Sequence, residues 1–301
     1  MSAGIGELAA LGTALTWGIS NQAQGIVGHK IGSVNITLLR MPFQVLILAA
    51  MCLVMQAETH LNLHGFLMLA LSGFFGIFLC DFCLFRAMNI IGPATTILII
   101  SSSTAFTPVF GWLFLGEGLP WLAVLGIAVT MGGIFVVITE HSGSTLLPGQ
   151  EVPRGRRLLL GVGLAGVSAL TLSLSLITLK RGLMTGLDPL WAAFMRVIVG
   201  AALIWGAGFL RGWTRQSISS LRGERKMLGL LVFSCVFIAL GMWFASVAMD
   251  QAPAGVAGTL IALQPVAVTL VGAIWYRRLP TLRVALGMLV AFGGVALICL
   301  R

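Results

Sequence analysis

The two halves of this chain repeat one another, and each half contains an odd number of apolar stretches. The clearest match pairs residues 85–138 with residues 247–298. Matching dipeptides include Ala87-Met88 with Ala248-Met249, Leu119-Pro120 with Leu279-Pro280, and Gly132-Gly133 with Gly293-Gly294. An odd number of membrane spans per half makes the second copy enter the bilayer in the opposite direction. The two copies can then be related by a pseudo-two-fold axis in the membrane plane.

The apolar stretches are predicted to cross a membrane, because the chain has too few charges for a soluble domain of its size. Only 9% of its residues are charged, 58% are hydrophobic and the mean hydropathy is +1.03, whereas soluble domains contain about 25% charged residues. A helix needs about 20 apolar residues to cross the hydrocarbon core. Ten such stretches are present: 8–27, 34–55, 65–86, 94–115, 121–139, 158–178, 188–210, 227–249, 254–276 and 282–300.

These spans are predicted to be helices rather than strands. They show no alternation of apolar and polar residues, which a lipid-facing barrel strand would require. The predicted fold is therefore all-α: a polytopic membrane protein with ten transmembrane helices arranged as two inverted five-helix repeats. Residues 1–145 are assigned to the first repeat and residues 146–301 to the second, since the connection 140–157 with its two prolines is the natural linker.

Basic residues are concentrated in the odd-numbered connections between spans, for example in 154–157 and 211–226. Only Lys180, Arg181 and Arg301 adjoin the even-numbered side. The net charge of +9 is thus explained by membrane orientation, and no nucleic-acid partner is expected. By the positive-inside rule, this distribution puts both termini outside the cytoplasm.

Three ionisable residues lie at membrane depth, where a charge is costly and usually faces a cavity or a partner. Arg40 and Arg196 occupy matching places in the second and seventh spans. Each is a candidate contact for an anionic substrate group or a gate; the alternative is that each reaches its nearer interface or pairs with an internal carboxylate. Asp81 in the third span is the candidate proton carrier; the alternative is an ion pair with Arg40 or Arg86.

Further polar and aromatic side chains fall in spans that correspond between the repeats. A packing role is more common for any single one, but their concentration in spans one, four, six and nine suggests that these helices line a pathway. Besides Arg40 and Arg196, the candidate substrate-binding residues are Trp17, Asn21, Gln22, Phe82, Ser102, Trp243 and Gln264.

Motifs for catalysis are absent from the sequence. The four histidines lack metal-ligand spacing, and neither a nucleophile elbow nor a phosphate loop occurs. We therefore expect no enzymatic activity, no cofactor and no bound metal. Any transport is expected to be driven by a gradient or by exchange.

The chain resembles the ten-span EamA-type members of the drug/metabolite transporter (DMT) superfamily over nearly its whole length. The resemblance is carried by the tandem repeat and by motifs in a fixed order: Trp17-Gly18, Arg40, residues 85–88 ahead of Gly92-Pro93-Ala94, Leu115-Gly116-Glu117, Gly132-Gly133, and in the second copy Arg196, Ala248-Met249, Gln264-Pro265 and Gly293-Gly294. It implies secondary transport, commonly efflux, of amino acids, related metabolites or drugs.

The resemblance also implies a bacterial inner (plasma) membrane location with both termini in the cytoplasm, which disagrees with the charge distribution. Our sequence-based hypothesis is alternating-access transport of a small-molecule substrate, with protons or a counter-substrate as coupling partners within the lipid bilayer. The alternative is a non-transporting membrane interaction or accessory subunit. Substrate identity and oligomeric state stay open.

Overall fold

The structure is a computed structural model that describes residues 4–59, 62–91, 96, 99–118, 120–141, 155–213, 217, 225–267, 270–271 and 281–299. The first repeat contains α1 (Ile5–Ile31), α2 (Ser33–Val54), α3, α4 (Ser103–Leu115) and α5 (Trp121–His141). Helix α3 is a continuous helix that runs through Leu63–Gly73, a π-helical turn at Phe74–Leu79, and Cys80–Ile91.

The second repeat contains α6 (Arg156–Leu183), α7 (Pro189–Leu210), α8 (Arg225–Gln251), α9 (Ala254–Ile261) and α10 (Leu282–Cys299). Among the described residues, α2, α3, α6, α7 and α8 are long and apolar enough by themselves to cross a membrane, and shorter apolar helices lie in α4, α5, α9 and α10. The predicted all-α fold is confirmed. The proposed junction between residues 145 and 146 lies outside the described residues.

Ten spans place the connections at two ends of the bundle. We call the end at which α1 begins the proximal end; it carries the connections 55–62, 116–120, 184–188 and 252–253. The distal end carries the junction between the repeats. The proximal assignment agrees with contacts at this end, where Gly6 of α1 abuts Ala252 and Gly65 of α3 abuts Leu187.

Helix pairing follows the repeat symmetry. Helix α1 packs against α8 as α6 packs against α3, α2 contacts α8 as α7 contacts α3, and α9 contacts α1 as α4 contacts α6. The pairs α2–α7, α4–α9 and α5–α10 map onto themselves when the repeats are exchanged. This pattern fits two inverted copies related by a pseudo-two-fold axis, because an odd number of spans separates corresponding helices.

Helices α5 and α10 cross at matched glycines. A Cβ atom on Gly133 would lie 2.3 Å from the backbone N of Ala291, and one on Gly294 would lie 2.4 Å from the backbone N of Thr130. The preceding glycines, Gly132 and Gly293, have nothing within 4 Å of such an atom. Only the second glycine of each pair therefore permits close backbone packing, which drives helix association where water is absent.

Candidate functional site

The most buried ionic contact in the described part of the chain joins α2 to α3. The Arg40 guanidinium is buried and donates to the Asp81 carboxylate, so the ion-pair alternative holds with Arg40 and not with Arg86. A second Arg40 nitrogen, Nη1, donates to Gln24 Oε1 at 3.3 Å. Gln24 Nε2 in turn donates to Ser20 Oγ at 3.0 Å. Pairing and hydrogen bonding of this kind are what make a buried charge tolerable.

Arg40 is also held by its surroundings outside the ion pair. Its guanidinium carbon lies 5.7 Å from the ring centre of Phe85, within cation–π range. Its backbone carbonyl accepts a long hydrogen bond of 3.7 Å from the Cys235 thiol of α8. Helices α2, α3 and α8 thus meet at this one residue.

Arg196 occupies the matching place in the second repeat, but its side chain is left partly unpaired. Its Nη2 donates to Ser175 Oγ at 3.0 Å, while Nε and Nη1 are buried without a hydrogen-bond partner among the described residues. A free buried donor costs roughly 1–3 kcal/mol. Such a guanidinium is a suitable binding group for an anion.

Both arginines lie against α3. Asp81 contacts Arg40 directly, and a Cβ atom on Gly76, five residues earlier in α3, would lie 3.1 Å from Arg196 Nη2. The two arginines come from opposite repeats, and Arg40 lies nearer the distal end while Arg196 lies nearer the proximal end. The structure therefore brings together all three ionisable residues that the sequence singled out.

The fourth and ninth spans are both interrupted at matching positions. The helical geometry breaks at Ser101-Ser102 and again at residues 262–263. Candidate residues Ser102 and Gln264 lie at these breaks, and Ser102 Oγ donates back to the carbonyl of Ile99 at 2.6 Å. Broken helices at membrane depth free backbone groups that only protein, water or a substrate can satisfy.

Near the first break, α6 provides a partner for the freed backbone. Ser173 Oγ lies 3.2 Å from the Ser103 carbonyl, and Thr107 Oγ1 lies 3.1 Å from Ser173 Oγ. These side chains are buried. They join α4 to α6, two of the four helices in which the sequence concentrates polar residues.

The other candidate residues lie around this polar centre with more modest contacts. Trp17 is partly buried, its Nε1 has no hydrogen-bond partner among the described residues, and Gly241 lies against its ring. Phe82 lies under the exposed Arg86, 5.2 Å from its guanidinium carbon. Trp243 stacks on Phe244. Asn21, Gln22 and Gln264 are partly buried.

A second ionic contact lies at the proximal end of the bundle. Glu117, just after α4, pairs with Lys180 of α6 at 2.9 Å. Both Glu117 oxygens also accept from the backbone N of Ala254, at 2.7 and 3.0 Å, so this carboxylate stabilises the N-terminus of α9. Lys180 Nζ donates to the Ala252 carbonyl. We call Glu117, Lys180, Ala252 and Ala254 the proximal latch.

Sequence reasoning did not identify the latch or the Ser20–Gln24 chain. Glu117 and Lys180 lie at span ends, where charged residues are ordinary. A usable signal was available: Arg278 and Gly25 stand at the corresponding positions of the other repeat, so the latch charges break the symmetry. For Gln24, the signal was its position one helical turn after Ser20.

The fold and this centre define a polytopic helical membrane protein built from two inverted five-helix repeats, with an ionic centre between them. Residues 4–139 and 159–300 each match the model of the EamA-like transporter family. The chain belongs to that family.

Known proteins with similarity to the chain agree with this assignment. The uncharacterized transporter YvbV of Bacillus subtilis (strain 168) is 26% identical over 193 residues, which are 63% of this chain. The match spans 57% of that relative's length. One solved structure, described only as a crystal structure of a protein, superposes with a TM-score of 0.77 at 16% identity, covering 99% of this chain and 97% of its own. That likeness concerns the fold alone.

Proposed function

We propose that the protein is a secondary active transporter that exports a small metabolite, an amino acid or a related compound, or a drug, by alternating access across a bacterial inner membrane. Membership of a transporter family supports transport in general. The observation that carries the proposal is the arrangement of Arg40, Asp81 and Arg196, because a buried guanidinium with two donors unpartnered among the described residues is costly for a purely structural bundle to retain.

Arg196 is the proposed first contact for an anionic substrate group. Arg40 is engaged by Asp81 and Gln24, whereas Arg196 Nε and Nη1 have no hydrogen-bond partner in the described part of the chain. A carboxylate or phosphate placed there would gain charge-assisted hydrogen bonds without breaking existing ones. Ser102, Gln264, Asn21 and Gln22 are proposed to supply further hydrogen bonds, and Trp17, Phe82 and Trp243 to form the apolar walls.

Asp81 is the proposed coupling residue. Protonation of its carboxylate would remove the charge that holds Arg40, so a proton entering the centre would release an arginine for an anion. Exchange with a counter-substrate would use the same competition for Arg40. The proximal latch supports alternating access, because the contacts that tie α4, α6 and α9 together at the proximal end must break for that end to open.

Purified protein in liposomes provides the direct test. A panel of metabolites is offered under a pH gradient and under exchange conditions, and substrate-dependent flux is measured for the wild type and for Asp81→Asn. The wild type should move at least one compound, and Asp81→Asn should lose the response to the pH gradient. Absence of flux for every compound, with Asp81→Asn affecting stability alone, would favour the accessory-subunit alternative instead.

A further inference from the structure

Helices α3 and α8 are counterparts, and the same serine contact fixes the first half of each. Ser72 Oγ donates to the Ser175 carbonyl and Ser175 Oγ to the Ser72 carbonyl, both at 2.8 Å. In the other repeat, Ser20 Oγ donates to the Ser234 carbonyl at 3.0 Å. Ser20 and Ser175 hold equal positions after the matching segments 13–16 and 168–171. Ser72 therefore corresponds to Ser234.

A glycine contact fixes the end of each helix in the same manner. A Cβ atom on Gly161 of α6 would lie 2.5 Å from Ile91 Cγ2, and one on Gly6 of α1 would lie 2.8 Å from the Cβ of Ala252. Gly6 and Gly161 also hold equal positions in the repeats. Ile91 therefore corresponds to Ala252.

The sequence separation of the two contact residues is one residue larger in the first repeat. Ile91 lies 19 residues after Ser72, whereas Ala252 lies 18 residues after Ser234. The extra residue thus lies between positions 72 and 91.

The π-helical turn at Phe74–Leu79 lies in this interval. It is closed by a hydrogen bond from the Cys80 N–H to the Phe75 carbonyl, five residues back. A π turn accommodates one additional residue within an α-helix and commonly occurs at functional sites. Helix α8 is α-helical throughout Arg225–Gln251. The first repeat therefore carries a single-residue insertion that its counterpart lacks.

The parts of α3 before and after the insertion both contact α6, but their other neighbours differ. The part before it is fastened to α6 by Ser72 and to α7 by Gly73, where a Cβ would lie 2.4 Å from the Arg196 carbonyl oxygen. The part after it contacts α6 through Cys80, whose carbonyl accepts from Ser168 Oγ at 3.1 Å, and carries Asp81, which is fastened to Arg40 of α2. An interrupted hydrogen-bond ladder is a point at which a helix bends.

We propose that the π-helical turn is a hinge, present in one repeat, that lets Asp81 separate from Arg40 while Ser72 stays bound to Ser175. The role of this hinge in transport rests on the proposed function. In this mechanism the turn is required for cycling between states and not for folding, since α8 shows that a helix one residue shorter satisfies both contacts.

Deletion of Phe74, whose side chain is exposed, removes the extra residue. Deletion of Val236, an exposed residue at the corresponding part of α8, is the matched control. The Phe74 deletion should fold with a melting temperature equal to or above the wild type, while the liposome flux falls by at least about tenfold. The Val236 deletion should lower the melting temperature, because α8 has no extra residue to lose. Equal destabilisation by both deletions, or wild-type flux after the Phe74 deletion, would overturn the hinge.

Hydrogen exchange gives a readout that needs no substrate. Amides from Phe74 to Asp81 should exchange faster in the wild type than the corresponding amides of the Phe74 deletion, and faster than those of α8 from Val236 to Met242. If the amides exchange in this way but the wild type shows no flux of any compound, the proposed function would be refuted and the hinge would still be supported. Equal exchange in the two proteins would overturn the hinge whatever the flux.

Discussion

Glu117 Oε1 and Lys180 Nζ lie 2.9 Å apart at the proximal end of the bundle. The pair connects the first repeat to the second, and its carboxylate also holds the first backbone N–H of α9. Opening of this end must break the ion pair and the hydrogen bond to Ala254 together, because Glu117 takes part in each of them. The latch is therefore the place at which the contacts of the proximal end can be weakened selectively.

Replacement of Glu117 by Gln should shift the population towards a state that is open at the proximal end. The substitution removes the charge pair and weakens the hydrogen bonds to α9, at a cost to the closed state of about 1–3 kcal/mol. Thiol labelling of a cysteine introduced at Gly111, against which the Glu117 carboxylate rests, would report the opening. Glu58→Gln, at an exposed proximal residue, is the control; equal labelling in both variants would contradict the latch.

Single substitutions in the Arg40–Asp81 pair should destabilise the protein more than the double substitution. Arg40→Met or Asp81→Leu alone leaves a buried charge without its partner and should cost about 3–5 kcal/mol, whereas replacing both can be nearly neutral. Thermal unfolding in detergent measures this. If the pair serves transport, the double variant should regain stability and still show no flux. Recovery of flux together with stability would assign the pair a structural role only.

Substitution of Arg196 by Gln should weaken substrate binding without a comparable loss of stability. Within the described ranges the side chain makes one hydrogen bond, to Ser175, and its Nε and Nη1 donors have no partner there. Loss of charged hydrogen bonds to an anionic substrate should cost about 1.5–3 kcal/mol, or at least about tenfold in Kd. Ligand-induced thermal stabilisation gives the affinity. Arg86→Gln, at an exposed arginine, should leave the Kd unchanged; an equal loss in both variants would argue against a specific anion site.

Adjacent glycines in α5 should respond oppositely to alanine. Gly133→Ala places a methyl group 2.3 Å from the Ala291 backbone N and should destabilise the α5–α10 contact by about 1–3 kcal/mol. Gly132→Ala meets nothing within 4 Å and should be neutral or slightly stabilising. Melting temperatures in the same detergent provide the comparison. Similar losses for both alanines would mean that the two helices do not cross at Gly133.

Several features of the site could be inferred from the chain because they depend on energetic cost rather than on geometry. Arg40, Asp81 and Arg196 were recognisable since charged residues inside apolar spans are rarely retained without a role. Their partners were not recognisable. Gln24, Ser72 and Ser175 are ordinary polar residues of helices, and only the packing of neighbouring helices shows which of them meet.

The repeat symmetry itself was evident in the sequence, but its local violations were not. The one-residue difference between α3 and α8 is visible only once the Ser72–Ser175 and Ser20–Ser234 contacts define corresponding positions. The pairing of Glu117 with Lys180 joins residues far apart in the chain, and periodicity within a single helix carries no information about it.

The sequence by itself determined that the protein lies in a lipid bilayer, that its secondary structure is helical and that its fold is duplicated. In a bilayer every backbone polar group needs an internal partner, so a chain this apolar must fold into helices, and an odd span count sets the relative direction of the copies. The tertiary structure decided which polar atoms meet: Asp81 with Arg40, Glu117 with Lys180, and two donors of Arg196 with no described partner. These contacts depend on helix rotation and register, which side chains from several distant segments settle together when they pack.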